Sequence, residues 1–323
     1  MCTAICFKQG GGFFGRNLDL EGTSEEGIAV VPRNFPLRFL KVPELRRHFA
    51  IIGTVRISEG CPLFYDAMNE RGLFGAALNF PESAVYNEEK PGFENIASFE
   101  LISWVLASCS NLEEAKRKLE HVNILSTNFS KNLKKTPLHW FFADKTGAIS
   151  VEPLEKGLVV SENSTKVLTN EPPFEFHEQN LRGYLGISAE ETENCFSKKL
   201  ELLPYSRGMG AIGLPGDFSS ASRFIKAVFA AENAVCESEE DCIAGFFHIL
   251  DSVFMVKGCV RLPEGKLERT VYSSCADGKN GIYYYKTYEN NRISAVDMKK
   301  ENLESDLLIS YPMFAKQDIL WLN

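Results

Sequence analysis

Short β-rich runs recur at 3–7, 27–31, 49–55, 72–78, 138–143, 157–160, 166–169, 270–275 and 281–288, so strands dominate the first third and the last quarter of the chain. Apolar residues at 96, 99, 102, 105, 106 and 109 predict a helix over 96–109, and Asn111 supplies an N-cap for another over 112–122. Further helices are predicted over 219–232, with Phe224, Val228 and Phe229 on one face, and from 238 to about 255. The last of these opens with Ser238-Glu-Glu-Asp241, an acidic variant of the capping box. Helices grouped between blocks of strands argue against regular βαβ alternation and predict an α+β architecture. Asp144-Lys-Thr-Gly147, Asp277-Gly278, Asn280-Gly281 and Asn290-Asn291 favour tight reversals with positive φ. The strands are therefore expected to pair as hairpins of antiparallel sheets, layered with helices outside.

The chain has 323 residues, 44% hydrophobic and 24% charged, with no internal repeat and no Pro/Gly/Ser linker, which predicts a single domain over 1–323. A net charge of −8, with Lys and Arg gathered only in pairs such as Arg46-Arg47, Lys134-Lys135 and Lys299-Lys300, leaves no footprint for nucleic acid or an anionic membrane surface. No apolar stretch reaches the roughly 20 residues of a membrane span. The start, Met1-Cys2-Thr3-Ala4-Ile5-Cys6-Phe7-Lys8, lacks the basic and apolar regions of a secretory signal, so the expected location is the cytoplasm. The polar segment 172–207 reads as an extended excursion that packs on a neighbour or covers a site, with a surface loop carrying one short helix as the alternative.

Nine widely spaced cysteines form no C-x-x-C and lie near no histidine at zinc-ligand spacing. No metal site is predicted, most cysteines are expected to be reduced, and all but Cys2 are expected to be small buried hydrophobes. Gly208-Met-Gly210-Ala-Ile-Gly213 spells a dinucleotide loop, but no strand precedes it and Leu214-Pro215 follows where a helix should begin. Its glycines are expected to let a strand pack closely. None of the five histidines lies in a metalloprotease or serine-hydrolase motif. His139 reads as a satisfied semi-buried histidine, and a Cys–His dyad stays open. Asn128-Phe-Ser130 and Asn163-Ser-Thr165 match the glycosylation sequon by chance.

The residue with most chemical content is Cys2. Cysteine is small enough for the initiator Met to be removed, which places a thiol and a free α-amine on one residue. The amine has a reference pKa of about 7.7–8.0 and the thiol about 8.5, so the amine can take the thiol proton near neutrality without a histidine. Gly15-Arg16-Asn17-Leu18-Asp19, between two strand-like runs, brings a guanidinium that favours thiolate and a carboxylate able to orient the terminal ammonium. A surface Arg–Asp pair is the plainer alternative. Asn79 and Asn170 each close an apolar run, and an amide N–H₂ there can donate to the oxyanion of a tetrahedral acyl intermediate or simply cap a turn.

Taken in order, Met1-Cys2-Thr3-Ala4, Phe14-Gly-Arg-Asn-Leu-Asp19, Val31-Pro-Arg-Asn-Phe-Pro36, Met68-Asn-Glu-Arg-Gly-Leu73, Leu78-Asn-Phe-Pro81, Leu168-Thr-Asn170, Gly208-Met-Gly-Ala-Ile-Gly-Leu-Pro-Gly-Asp217, Ser222-Arg-Phe224 and Tyr284-Tyr-Lys-Thr-Tyr288 span nearly the whole chain. Together they resemble the choloylglycine hydrolase family, the bile salt hydrolases and penicillin V acylases among the N-terminal nucleophile hydrolases. The resemblance implies a four-layer αββα sandwich of two antiparallel sheets and hydrolysis of a linear amide through an S-acyl enzyme, with no cofactor. It implies Cys2 as nucleophile and amine base, Arg16 and Asp19 as supports of thiol and amine, Asn79 and Asn170 in oxyanion stabilisation and amine positioning, and Arg223 as a further polar support. Asn79 resembles the bile salt hydrolase branch, where Leu18, Phe129, Leu133 and Leu138 match steroid-contacting positions; penicillin V acylase is the alternative, and a silent bile acid binder would need Met1 retained. Segment 172–207 resembles the family's assembly region and implies a homotetramer. Tyr65-Asp66-Ala67 and Ala77 depart from the family's usual small residues and are expected to change pocket width.

Overall fold

The computed structural model describes residues 1–7, 12–22 and 26–323. Its strands in the first half are β1 (Cys2–Phe7), β2 (Phe13–Leu20), β3 (Gly27–Val31), β4 (Ile51–Ser58), β5 (Cys61–Asn69), β6 (Phe74–Asn79), β7 (Glu94–Ala97), β8 (Val122–Leu125), β9 (Leu138–Asp144) and β10 (Gly147–Leu154). The remainder are β11 (Gly157–Glu162), β12 (Val167–Leu168), β13 (Val260–Arg261), β14 (Leu267–Asp277), β15 (Ile282–Thr287), β16 (Ser294–Asp297) and β17 (Ile309–Pro312). One sheet runs β12-β1-β2-β14-β15-β16, with β13 paired to β14, and the other runs β11-β10-β9-β6-β5-β4-β3-β17. Every pairing within these two sheets is antiparallel. The hairpins β9–β10 and β14–β15 turn at Asp144–Gly147 and Asp277–Ile282, where the Asp-Gly and Asn-Gly signals lie.

Period-two side-chain alternation assigns the layers. In β3, Ile28 and Val30 join the core that contains β1 and β2, whereas Ala29 and Val31 join the core beneath the first two helices. Ile52 and Ile51 of β4 divide in the same way. Helices α1 (Leu101–Ser108) and α2 (Leu112–Leu119) cover the outer face of the second sheet. Helices α3 (Phe174–Leu181), α4 (Ser220–Asn233) and α5 (Glu239–Asp251) lie on the side of the first sheet. The result is the αββα sandwich. Asn111, Ser219 and Ser238 cap α2, α4 and α5 by accepting from backbone N–H groups three residues on, which satisfies donors that a helix start leaves unpaired.

Several elements differ from the sequence reading. The predicted helix over 96–109 begins only at Leu101, because Ile96 and Ala97 pair in parallel with Ile124 and Leu125. The Glu100 carboxylate then accepts from the Ala97 N–H (3.0 Å) and the Leu40 N–H (2.7 Å), holding a turn between strand and helix. The run Gly15–Asp19 is not a link between strands but the middle of β2, and β5 and β8 are additional strands. A Cβ on Gly15 would lie 1.9 Å from the Ser274 carbonyl oxygen, so glycine is required where β2 and β14 approach. Residues 208–213 form no strand. They make a short 3₁₀ turn, in which a Cβ on Gly210 would lie 2.2 Å from the Glu190 carbonyl oxygen. Cys236 and Cys242 are disulfide-bonded, and Cys195 and Cys259 are exposed rather than buried. Among the described residues, no helix is long and apolar enough to cross a membrane.

Candidate active site

Cys2 is the first residue of β1 and is buried, facing Leu18 across the β1–β2 pair, with Arg16 two residues further along the same partner strand. Thr270 of β14 faces Asp19 on the other side of β2, where a bulge shifts the β14 register. Asn170 follows β12, whose Leu168 pairs with Ala4, so the amide arrives beside the end of β1. Its Oδ1 accepts from the Cys2 N–H (2.7 Å) and from Arg223 (2.8 Å), while its side-chain N–H₂ donates to the Asn79 carbonyl (2.7 Å). One amide thus ties the first sheet, α4 and the end of β6 together. Its backbone is held in turn: the Asn170 N–H donates to Ser220 Oγ (2.8 Å), and its carbonyl meets His177 Nε2 (3.0 Å).

Arg223 projects from α4 and is fully buried. It donates to the Cys2 carbonyl (2.5 Å), Thr3 Oγ1 (2.6 Å) and the Phe218 carbonyl (3.0 Å) as well as to Asn170. Burial lowers its pKa, and the opposing pull comes from Asp19, Cys2 and Glu268. Arg16 is also fully buried, with Nη1 donating to the carbonyls of Tyr65 (3.1 Å) and Ala77. Burial opposes its charge, yet attraction to Cys2, Tyr272, Asp66 and Asp19 outweighs it and raises the pKa. Asp66 accepts from the Tyr272 and Tyr283 phenols and from Ser274 (2.9 Å); burial raises its pKa against Arg16 and these donors.

The Asp19 carboxylate accepts from Thr270 Oγ1 (2.6 Å) through Oδ1. Burial raises its pKa, opposed by Arg223, the terminal ammonium, Thr270 and Arg16. The Met1 ammonium donates to the Asp19 carbonyl (2.7 Å) and pairs with the buried Glu268 carboxylate. Two buried atoms in this cluster have no hydrogen-bond partner, Asp19 Oδ2 and Arg16 Nη2.

Cys2 lines a cavity of about 350 Å³ together with Leu18, Asn79, Phe129, Leu133 and Leu138. All four residues matched by resemblance to steroid contacts therefore share one space with the thiol residue and Asn79. Tyr65 and Ala77 line it too. The open question of a Cys–His dyad is resolved: no histidine lines this cavity among the described residues, and His139 is fully buried with its nitrogens on Glu152 (3.2 Å) and the Thr169 carbonyl (2.9 Å). Asn170 acts here as an acceptor from Cys2, which leaves the side chain of Asn79 as the cavity-lining amide. Sequence reading missed Asp66, Tyr272, Tyr283, Thr270, Glu268 and His177. Glu268, Thr270 and Tyr272 lie on β14, where many polar residues within one strand were the available signal; Asp66, Tyr283 and His177 lie on other elements.

The profile of linear amide C–N hydrolases, choloylglycine hydrolase family, matches residues 2–311. A "bile salt hydrolase/transferase" of Lactiplantibacillus plantarum is 44% identical over 324 residues, covering 100% of both chains. A protein of the same description from Clostridium perfringens is 41% identical over 96% of each. A crystal structure of a variant conjugated bile acid hydrolase from Clostridium perfringens superposes with a TM-score of 0.92 at 38% identity, covering 100% of each chain. Penicillin V acylase from Agrobacterium tumefaciens superposes with a TM-score of 0.78 at 19% identity over 98% of this chain and 92% of its own, a likeness of fold.

Proposed function

Since the chain belongs to the choloylglycine hydrolase family of linear amide C–N hydrolases, we propose that it is a bile salt hydrolase, releasing glycine or taurine from conjugated bile acids through an S-acyl Cys2. Removal of Met1 turns the Cys2 N–H into an α-amine that stays within reach of Asn170 Oδ1. The neutral amine becomes an ammonium only on taking the thiol proton, and Asp19, whose Oδ2 has no partner in the chain that still carries Met1, is the carboxylate proposed to support that charge. The amine takes the thiol proton, and the thiolate, favoured by Arg16, attacks the amide carbonyl. Asn79 donates to the oxyanion that forms. As the C–N bond breaks, the ammonium passes its proton to the leaving nitrogen and glycine or taurine departs. Water then enters, gives a proton to the amine and adds to the thioester carbonyl; collapse breaks the C–S bond, frees the bile acid, and the ammonium returns its proton to the sulfur.

The observation that carries this reading is the shared cavity: a thiol residue, an amide and four apolar side chains, suited to an apolar acyl body joined to a polar head. The test is release of free glycine and taurine from glycocholate and taurocholate by reduced protein, with penicillin V in parallel. Fast release of either amino acid supports the reading; phenoxyacetate from penicillin V with little amino acid release replaces it with penicillin V acylase.

The assembly proposed is a homotetramer, and the proposed location is the cytoplasm. Exposed Leu185, Phe196, Leu203 and Tyr205 on the excursion, with Leu320, Trp321 and Leu322 at the C-terminal end, are apolar surface that an assembly would cover. Light scattering that returns a monomer mass contradicts the tetramer.

A further inference from the structure

Glu268 is buried on β14, two residues before Thr270, so the two side chains share a face, and Thr270 is the residue whose hydroxyl holds Asp19. Arg269, between them, points the other way and pairs with Glu289 (2.6 Å). Among the described residues, the cation that the Glu268 carboxylate pairs with is the Met1 ammonium. Met1 is itself seated as an extension of β1: its carbonyl accepts from the Asp19 N–H (2.9 Å), and its ammonium donates to the Asp19 carbonyl (2.7 Å). Removal of Met1 therefore takes the counter-ion from a buried carboxylate and, at the same place, turns the neighbouring Cys2 nitrogen into an α-amine. The Met1 and Cys2 nitrogens are three bonds apart, about 3.7 Å at most, which puts the Cys2 nitrogen within about 6 Å of that carboxylate. At such a separation an anion favours the protonated form of an amine, and a buried carboxylate needs a charged partner to stay ionised.

The charges around this amine come from four elements. Arg16 on β2 and Arg223 on α4 are buried guanidinia that disfavour a third cation beside them. Asp19 on β2 and Glu268 on β14 are the carboxylates that oppose them, and Glu268 also pulls on Arg223. Asp66 on β5 acts on Arg16 and is bound by the Tyr272 and Tyr283 phenols. We propose that Glu268 is a positioning residue that serves two cations in turn, the Met1 ammonium before processing and the Cys2 α-ammonium after it, and that together with Asp19 it keeps the amine basic enough to hold the thiol proton. This rests on the reading of Cys2 as an N-terminal nucleophile and adds to it a second carboxylate, on a different strand from Asp19. Glu268 acts through the amine and the thiol, which titrate as a pair.

The experiment follows two quantities against pH, kcat/KM on glycocholate and the rate of Cys2 alkylation by iodoacetamide, in wild type, Glu268→Gln and Glu268→Asp chains shown by mass to lack Met1. Loss of the negative charge weakens proton binding by both amine and thiol. In Glu268→Gln both limbs of the activity profile and the alkylation midpoint are therefore expected to move to lower pH by about one unit, with activity on the alkaline side about tenfold lower and KM within about twofold of wild type. Glu268→Asp keeps the charge and is expected to restore most of the wild-type profile. Glu268→Met, of similar volume and with no polar group to strand, takes the place of Glu268→Gln if that variant does not fold. Activity lowered equally at every pH with an unmoved profile identifies a structural role and overturns the proposal, as does wild-type behaviour in the uncharged variant or a profile that moves as far in Glu268→Asp as in Glu268→Gln. If wild type releases no glycine from glycocholate, the bile salt reading fails, while the alkylation profile still decides the role of Glu268.

Discussion

Around the main chain of Cys2, polar groups are buried and almost all paired: Asn170 and Arg223 hold its amide and carbonyl, and Thr270 holds Asp19. The cavity that Cys2 lines differs: beyond Asn79, Tyr65, Arg56 and a polar rim, its walls are largely apolar, Leu18, Phe129, Leu133 and Leu138 among them. In the first region each side chain is fixed by partners from several elements, so a substitution strands others without a partner. In the second, contacts are non-directional and tolerate changes of shape. The polar region is therefore expected to govern kcat and the apolar one to govern which acyl group binds.

Substitutions can break that division, beginning with the largest effect. Cys2→Ala removes the nucleophile, and kcat on glycocholate is expected to fall by at least about 10⁴-fold. Binding of glycocholate, followed by calorimetry, should survive; joint loss of binding and turnover contradicts the division. Asn79→Ala removes an oxyanion donor and should lower kcat by about 10²–10³-fold with little change in KM, measured by steady-state kinetics. A rise in KM at constant kcat would assign Asn79 to ground-state binding instead. Leu133→Ala trims the apolar wall, and losing roughly 50 Å² of contact at about 25 cal/mol per Å² predicts about a tenfold higher KM for glycocholate at similar kcat.

The smallest effect is on pH dependence, and it concerns the support of Asn170. Burial lowers the pKa of His177 below its ordinary 6.5, against the pull of the Asn170 carbonyl. As pH falls below that value, the unfolded chain binds a proton that the folded chain resists, so stability drops with falling pH until the folded histidine titrates too. His177→Gln should flatten the fall in Tm between about pH 7 and about pH 5. Parallel Tm profiles for wild type and variant contradict this account.

The polar region was partly legible because Cys2, Arg16, Leu18 and Asp19 lie on one hairpin, where position in sequence nearly fixes position in space. Asn79 and Asn170 were visible as residues closing strands, but the geometry divides their roles, since Asn170 accepts from Cys2 while Asn79 lines the cavity. Asp66, Tyr272 and Tyr283 were not legible: their contacts join β5 to β14 and β15 across the two sheets, and no local pattern encodes such a pairing. The start of α1 was hidden by a misread period. The apolar spacing at 96 and 99 continues that of α1, so a strand and turn look like the first turn of a helix.

The central claim is that the mature N-terminal cysteine carries the acyl group. Intact-mass and peptide mass spectrometry of protein acid-quenched during turnover of glycocholate tests it directly. The account predicts a chain lacking Met1, with a cholyl thioester on the peptide that begins at Cys2 and no such adduct in Cys2→Ala. An active chain that retains Met1, or a cholyl adduct on another residue, would contradict it.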